Sequence, residues 1–167
     1  EKLAVIKEMK ASRISINPQT LNDAVLREIG RNHTASQVID AFKTARKLGF
    51  DNINMDLIAG LPTETFESFR QTMKEVMELD PEGVTIHTLT LKRSAGLYAD
   101  GKENIKNPAS EMVDYGNKVL LEHGYAPYYL YRQKNTIDNL ENTGYSKPGK
   151  ESLYNIYIMD ETQTILG

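Results

Sequence analysis

Asn52-Ile53-Asn54-Met55-Asp56-Leu57-Ile58-Ala59-Gly60-Leu61-Pro62 reads as a strand that carries a carboxylate near its middle and leaves through a Gly-Leu-Pro turn. Asn52, Asn54 and Asp56 fall on one face of the extended chain, and Ile53, Met55, Leu57 and Ala59 on the other. In an ordinary parallel sheet, helices cover both faces and strands are nearly continuous apolar runs. Here one face is polar and carries a potential charge. That suits a barrel-like sheet whose inner face meets a ligand, because a buried carboxylate needs a partner or a shifted pKa. The plainer reading has Asp56 pairing with a cation or capping a neighbouring loop, and spacing alone does not choose between them.

On either side of this strand the chain alternates. Arg13-Ile14-Ser15-Ile16-Asn17 is a short alternating strand closed by Pro18. Leu21, Val25, Leu26 and Ile29 then fall at helical spacing up to Gly30, and Arg31-Asn32-His33 is a polar connector. Thr34-Ala35-Ser36-Gln37 has the form of a capping box. The helix it opens presents Val38, Ile39, Phe42, Ala45 and Leu48 on one side and stops at Gly49. After the Gly-Leu-Pro turn, Thr65 is the N-cap expected for a helix with a Phe66, Phe69, Met73, Val76, Met77 stripe, ended by Asp80-Pro81.

Gly83–Leu91 is the next strand, with Val84 and Ile86 on one face and Leu89 and Leu91 on the other. A bulge or bend near His87 is expected to reconcile them. Lys92–Asn107 is a long polar loop. Asn107-Pro108 starts a helix that buries Met112, Tyr115, Val119 and Leu120 and closes at Gly124. Ala126–Tyr131 is a fourth, tyrosine-rich strand. Gln133–Ser152 reads as irregular, and Leu153–Met159 with Thr162–Leu166 is expected to form a closing hairpin around Asp160-Glu161. The order β-α-α-β-α-β-α-β with a β tail implies a parallel sheet with right-handed crossovers. Four parallel strands cannot close a barrel. An incomplete piece of a (β/α) barrel fits better, with its site at the C-terminal strand ends.

A chain of 167 residues suffices for one domain with a sizeable core, and 26% charged with 40% hydrophobic residues places it among globular rather than disordered chains. The net charge of −3, with no long basic run, argues against nucleic acid or an anionic membrane as the main partner. No apolar run approaches the roughly 20 residues of a membrane span, and no signal peptide is present. With no cysteine there is no disulfide, thiolate ligand or cysteine nucleophile. The expected setting is cytoplasmic. The chain starts at Glu1 without a Met and ends just after a strand-like run, so it is expected to be a piece of something longer.

If the strands share a barrel, Asn17, Gln19, Asp56, Gly60 and the Thr88–Thr90 region converge at one end. A carboxylate and a carboxamide on adjacent strand ends suit a vicinal diol such as a ribose, offering several acceptors and a donor. Arg31 can hold a carboxylate or phosphate through its bidentate fork, or can be a surface residue pairing with Glu28. His33, His87 and His123 show no metal spacing. His123 favours the C-terminus of its helix, and His87 alone is placed for a cleft, with a satisfied core histidine as the plainer reading. Tyr125–Lys134 joins aromatic faces to Arg132 and Lys134. It suits a flat polyanionic ligand, or an edge strand whose Tyr and Lys discourage pairing. No Gly-rich phosphate loop, Walker motif, nucleophile elbow or metalloprotease motif occurs.

Arg13-Ile-Ser-Ile-Asn-Pro-Gln-Thr-Leu-Asn, then Ile29-Gly-Arg-Asn-His-Thr, then Gly49-Phe-Asp-Asn-Ile-Asn-Met-Asp-Leu-Ile-Ala-Gly-Leu-Pro-Thr-Glu-Thr resembles the radical S-adenosylmethionine enzymes of the oxygen-independent coproporphyrinogen III oxidase group. Pro127-Tyr-Tyr-Leu-Tyr-Arg-Gln-Lys-Asn followed by Glu141-Asn-Thr-Gly-Tyr is similar to the coproporphyrinogen dehydrogenase branch. The resemblance implies the C-terminal portion of a partial (β/α)6 TIM-like barrel with a short C-terminal β extension. Residues 1–124 would be the later half of the barrel, and 125–167 its final strand and the start of the C-terminal region.

It also implies a longer parent protein that carries a [4Fe-4S] cluster on a Cys-x3-Cys-x2-Cys motif, with S-adenosylmethionine chelating the cluster's open iron. The parent would convert coproporphyrinogen III to protoporphyrinogen IX by radical oxidative decarboxylation, with an electron donor that the sequence does not identify. By motif match, Gln19 and Asp56 would hold the ribose hydroxyls of S-adenosylmethionine, and Arg31 its methionine carboxylate. The chain departs from the family in having Ala59-Gly-Leu-Pro where Tyr-Gly-Leu-Pro is more common, and in lacking every cluster cysteine. The piece alone is therefore expected to hold no cluster, to be catalytically inactive, to bind S-adenosylmethionine weakly, and to self-associate through an open strand edge. A haem chaperone-like sister or a non-catalytic module are the competing expectations.

Overall fold

The computed structural model describes residues 2–89, 108–131 and 140–160. Its elements in order are α1 (Lys2–Glu8), β1 (Ile14–Gln19), α2 (Asp23–Glu28), α3 (Ala35–Lys47), β2 (Ile53–Ala59), α4 (Phe66–Leu79), β3 (Gly83–Thr88), α5 (Ala109–Glu122), β4 (Ala126–Tyr131), β5 (Asn142–Ser146) and α6 (Leu153–Met159). β2 sits between β1 and β3 and pairs with both in parallel. Its odd-numbered residues Ile53, Met55, Leu57 and Ala59 are fully buried, and the core forms on that face. Phe42 and Ala45 of α3, Phe69, Met73 and Val76 of α4, and Met112 and Leu120 of α5 complete it. Each large apolar side chain removed from water there contributes about 1.5–3 kcal/mol.

The helix starts follow local chemistry. Thr34 accepts from the Gln37 amide while the Gln37 side chain accepts from the Thr34 amide, which is the expected capping box. Thr65 caps α4 through the Ser68 amide. α5 lies close on β3: a Cβ at Gly116 would stand 2.5 Å from Ile86 Cδ1, so the helix approaches only because that position has no side chain. At the opposite end of the strands from the Gly-Leu-Pro turn, Arg46 of α3 makes a two-pronged pair with Glu82, both N–O distances 2.8 Å. Arg46 also donates to the carbonyls of Phe50 and Asp80, and Glu82 accepts from the Ile53 amide.

Several expectations are corrected. The sheet is not wholly parallel: its order is β1-β2-β3-β5-β4, with β5 antiparallel to both β3 and β4. Asn142–Ser146, inside a stretch read as irregular, is thus a strand whose identity comes from its two neighbours rather than from its own residues. Leu153–Met159 is a helix, not a hairpin strand. Its β-favouring composition pairs with no strand among the described residues, and Ser152 caps it by accepting from the Asn155 amide. β3 keeps unbroken register with β2 through Thr88, so no bulge occurs at His87. The irregularities lie in β1, where Ile16 pairs with Met55 but Gln19 with Leu57, leaving one extra residue around Pro18, and in β4, where Pro127 pairs with Tyr145 but Tyr129 with Gly144. Helix α1 was not anticipated; Lys7 anchors it through the Gly49 carbonyl at 2.7 Å and the Phe50 ring. Thr90, the Lys92–Asn107 loop, Arg132, Lys134 and Thr162–Leu166 lie outside the described residues. Among the described residues, no helix is long and apolar enough to cross a membrane.

Candidate functional site

The face of the sheet opposite the core is polar and continuous across its strands. Asn54 donates through Nδ2 to Asp56 Oδ1 at 2.6 Å and to Ser15 Oγ at 3.1 Å. Ser15 Oγ stands 2.7 Å from Asn17 Oδ1 and 3.4 Å from Asp56 Oδ2, with one proton to share between them. Thr85 continues the row, 3.4 Å from Asn54 Oδ1 and 3.3 Å from the Tyr129 hydroxyl. His87 stands over β3 with Nε2 3.9 Å from Asp56 Oδ1 and Nδ1 3.2 Å from the Tyr131 hydroxyl. Burial lowers the His87 pKa, and the facing Asp56 charge works in the opposite direction.

Two stacked tyrosines close the far side. The Tyr129 and Tyr131 rings are 6.3 Å apart at 4°. Burial pushes Tyr129 up to about 12 and raises Tyr131, with the Asp56 charge adding to both. Both therefore remain neutral phenols that can donate at ordinary pH. Tyr129 lies directly on Gly144, where a Cβ would fall 1.8 Å from its Cε1. Beside the pair a cleft of 250 Å³ is lined by Tyr129, Tyr131, Asn155, Ile158 and Met159.

Gln19 ends β1 directly after the bulge, with a left-handed φ of 69°, and pairs with Leu57, the residue after Asp56. Gln19 thus stands at the end of the strand next to Asp56, one register step beyond it, and its carboxamide donates to the Asn17 carbonyl at 3.4 Å. Arg31 lies in the α2–α3 loop and is exposed; among the described residues it makes no ion pair, so the Glu28 partnership is not formed. That loop is tied back to the bulge by His33, whose Nε2 is 3.3 Å from the Pro18 carbonyl. His123 binds the Val119 carbonyl at 2.7 Å, at its helix C-terminus as expected. Gly60 turns with φ 83° and its amide meets Met112 Sδ. Thr88 donates its amide to Asn142.

The donor set suits one half of S-adenosylmethionine. Asp56 and Gln19 can bind hydroxyls and Arg31 a carboxylate. The cluster is another matter: the chain has no cysteine, and among the described residues no group of three His, Asp or Glu is placed to hold a metal ion. The His87–Tyr131 contact was not anticipated. A histidine on a polar strand position with tyrosines in a later strand was its only sequence signal.

Residues 1–76 match the Radical SAM superfamily. The whole chain is 47% identical to the oxygen-independent coproporphyrinogen-III oxidase-like protein HemZ of Bacillus subtilis, over 34% of that protein's length. It is 30% identical to the heme chaperone HemW of Lactococcus lactis, across 98% of this chain and 41% of that one. Its fold matches the coproporphyrinogen III oxidase HemN of Escherichia coli with a TM-score of 0.67 at 23% identity, covering 95% of this chain and 35% of that structure. The chain thus spans little more than a third of the length of these relatives.

Proposed function

We propose that this chain, radical SAM superfamily sequence in residues 1–76, forms the nucleoside-holding side of an S-adenosylmethionine site in an enzyme of haem biosynthesis. The parent reaction is oxidative decarboxylation of two propionates of coproporphyrinogen III to the vinyl groups of protoporphyrinogen IX. The observation that supports it most is Gln19 at the end of β1, one register step beyond Asp56 of the adjacent strand, whose carboxylate lies on the polar sheet face. Asp56 accepts from ribose hydroxyls, with Asn54 and Ser15 orienting its carboxylate. Gln19 completes the diol contact. Arg31 takes the methionine carboxylate from a loop that His33 fixes to Pro18. S-adenosylmethionine supplies hydrogen-abstracting chemistry when bound, and the cluster that activates it would be held by cysteines outside this sequence.

On the substrate side, His87 and Tyr131 stand next to Asp56 and offer neutral donors to a propionate. The cleft beside the stacked tyrosines has room for one substituted five-membered ring rather than a whole macrocycle. The similarity to heme chaperones supports a second reading, in which the same face serves haem binding without decarboxylation. The same reading places the protein in the cytoplasm. Anaerobic incubation of the reconstituted full-length protein with coproporphyrinogen III, S-adenosylmethionine, a low-potential reductant for the cluster and an electron acceptor for the substrate radical, beside a titration with haem, separates the two. Loss of two carboxyl groups is the expected result; unchanged substrate with stoichiometric haem binding would establish the chaperone instead. A full-length sequence without Cys-x3-Cys-x2-Cys would leave a non-catalytic module.

A further inference from the structure

Glu64 lies two residues beyond Pro62, in the turn from β2 to α4, and is buried with only 5% exposure. Its Oε1 stands 2.6 Å from Thr20 Oγ1 and 3.5 Å from Ser68 Oγ, while Oε2 is buried without a hydrogen-bond partner. The donors order into two chains with one terminus. The Leu21 amide donates to Thr72 Oγ1, Thr72 donates to Thr20, and Thr20 donates to Glu64. Asn22 Nδ2 donates to Ser68, which donates to Glu64. The Asn22 amide also donates to Thr20 Oγ1, so that hydroxyl accepts twice and donates once, its full capacity.

These bonds fasten residues 20–22 to the turn that leaves β2. The residue just before them is Gln19, whose φ of 69° is sparsely populated for a residue with a side chain. Such a conformation persists only where its surroundings over-determine it. Glu64 is the acceptor on which both chains end.

We infer that Glu64 is a positioning residue: by holding Thr20 it fixes Gln19 in the left-handed conformation at the end of β1, one register step from Asp56. The inference rests on the nucleoside-binding role proposed above for Gln19. Burial raises Glu64 to about 7, opposed by the Thr20 and Ser68 hydroxyls. Among the described residues, the groups bonded to it from the end of β1 and from α4 are those hydroxyls. The ionised carboxylate accepts both hydroxyls through charge-assisted bonds, and the protonated acid holds them less well. The two hydroxyl bonds that hold Gln19 therefore tighten as pH rises through 7, although the buried charge lowers the stability of the fold as a whole.

The test is calorimetric binding of S-adenosylmethionine to the reconstituted full-length protein between pH 6 and 8. His87 also faces the site, its pKa lowered by burial, so the comparison is with Glu64→Gln, in which it is unchanged. In the unsubstituted protein the affinity rises with pH. Glu64→Gln flattens that rise and weakens binding at pH 8 by ~3- to 10-fold, the scale of a charge-assisted hydrogen bond partly lost. If Glu64→Gln does not fold, Thr20→Val removes the hydroxyl from the other side and is expected to do the same. Gln19→Ala separates the inference from its premise. If it leaves affinity unchanged, the nucleoside reading fails. If it weakens binding while Glu64→Gln and Thr20→Val keep the affinity and pH profile of the unsubstituted protein, the positioning role alone is overturned.

Discussion

One methyl group added at Gly144 would stand 1.8 Å from Cε1 of Tyr129. Gly144→Ala is therefore expected to lift the Tyr129 ring, part its hydroxyl from Thr85 and lower stability by about 1–3 kcal/mol. Urea titration measures the loss, and a variant within 0.5 kcal/mol of the parent, the usual range for an exposed substitution, would contradict the packing. Glu64 carries a second prediction. Its pKa in the folded chain, about 7, lies above its unfolded value of 4.5. Between those values the unfolded chain loses its proton first, so stability falls as pH rises from 4.5 to 7 and levels off above. Glu64→Gln is expected to flatten this slope and gain on the order of 2–3 kcal/mol above pH 7. Thermal melts at pH 5 and 8 read the difference; equal pH dependence in both proteins would refute it. Asp56 is legible in sequence because strand alternation alone puts it on a polar face. Glu64 is not, since Thr-Glu-Thr after a Gly-Leu-Pro turn looks solvated. Its burial depends on hydroxyls contributed from 44 residues away and, in a second layer, from within α4.

Among the elements, those that carry their own signals were read correctly: the capping box of α3, the cap of α4, and the alternation of β1 and β2. β5 carries none. Asn-Thr-Gly-Tyr-Ser is a strand because β3 and β4 pair with it on either side, and Tyr129 covers the glycine that would otherwise weaken it. α6 shows the converse, a β-favouring run that is helical and packs on β4, with Asn155 donating to the Tyr128 hydroxyl. The Arg46–Glu82 pair joins α3 to the start of β3 and holds the Ile53 amide. The two side chains are 29% and 12% exposed. Arg46→Ala leaves Glu82 largely buried without its cation and is expected to lower stability by about 2–4 kcal/mol in guanidinium unfolding. Arg46→Lys should recover only part of this, because a point charge cannot reproduce the fork. Full recovery would mean that charge alone matters.

For the whole molecule, β1 ends the sheet, with β2 as its partner among the described residues. The isolated chain is expected to associate through that edge, seen as a concentration-dependent rise in mass by sedimentation, whereas a monomer at every concentration would refute it. The partial barrel was legible from β-α alternation, but the reversal of its last strands was not. β4 follows β3 in the chain yet lies beyond β5 in the sheet. This order bears on synthesis. The ribosome releases β4 before β5, at a moment when its place is separated from β3 by a strand not yet made. Its tyrosines must wait until residue 146 has emerged. A nascent chain halted before residue 142 is therefore expected to hold β1, β2 and β3 protected from protease while Ala126–Tyr131 is cut, making the last strand pair the slow, committing step of assembly.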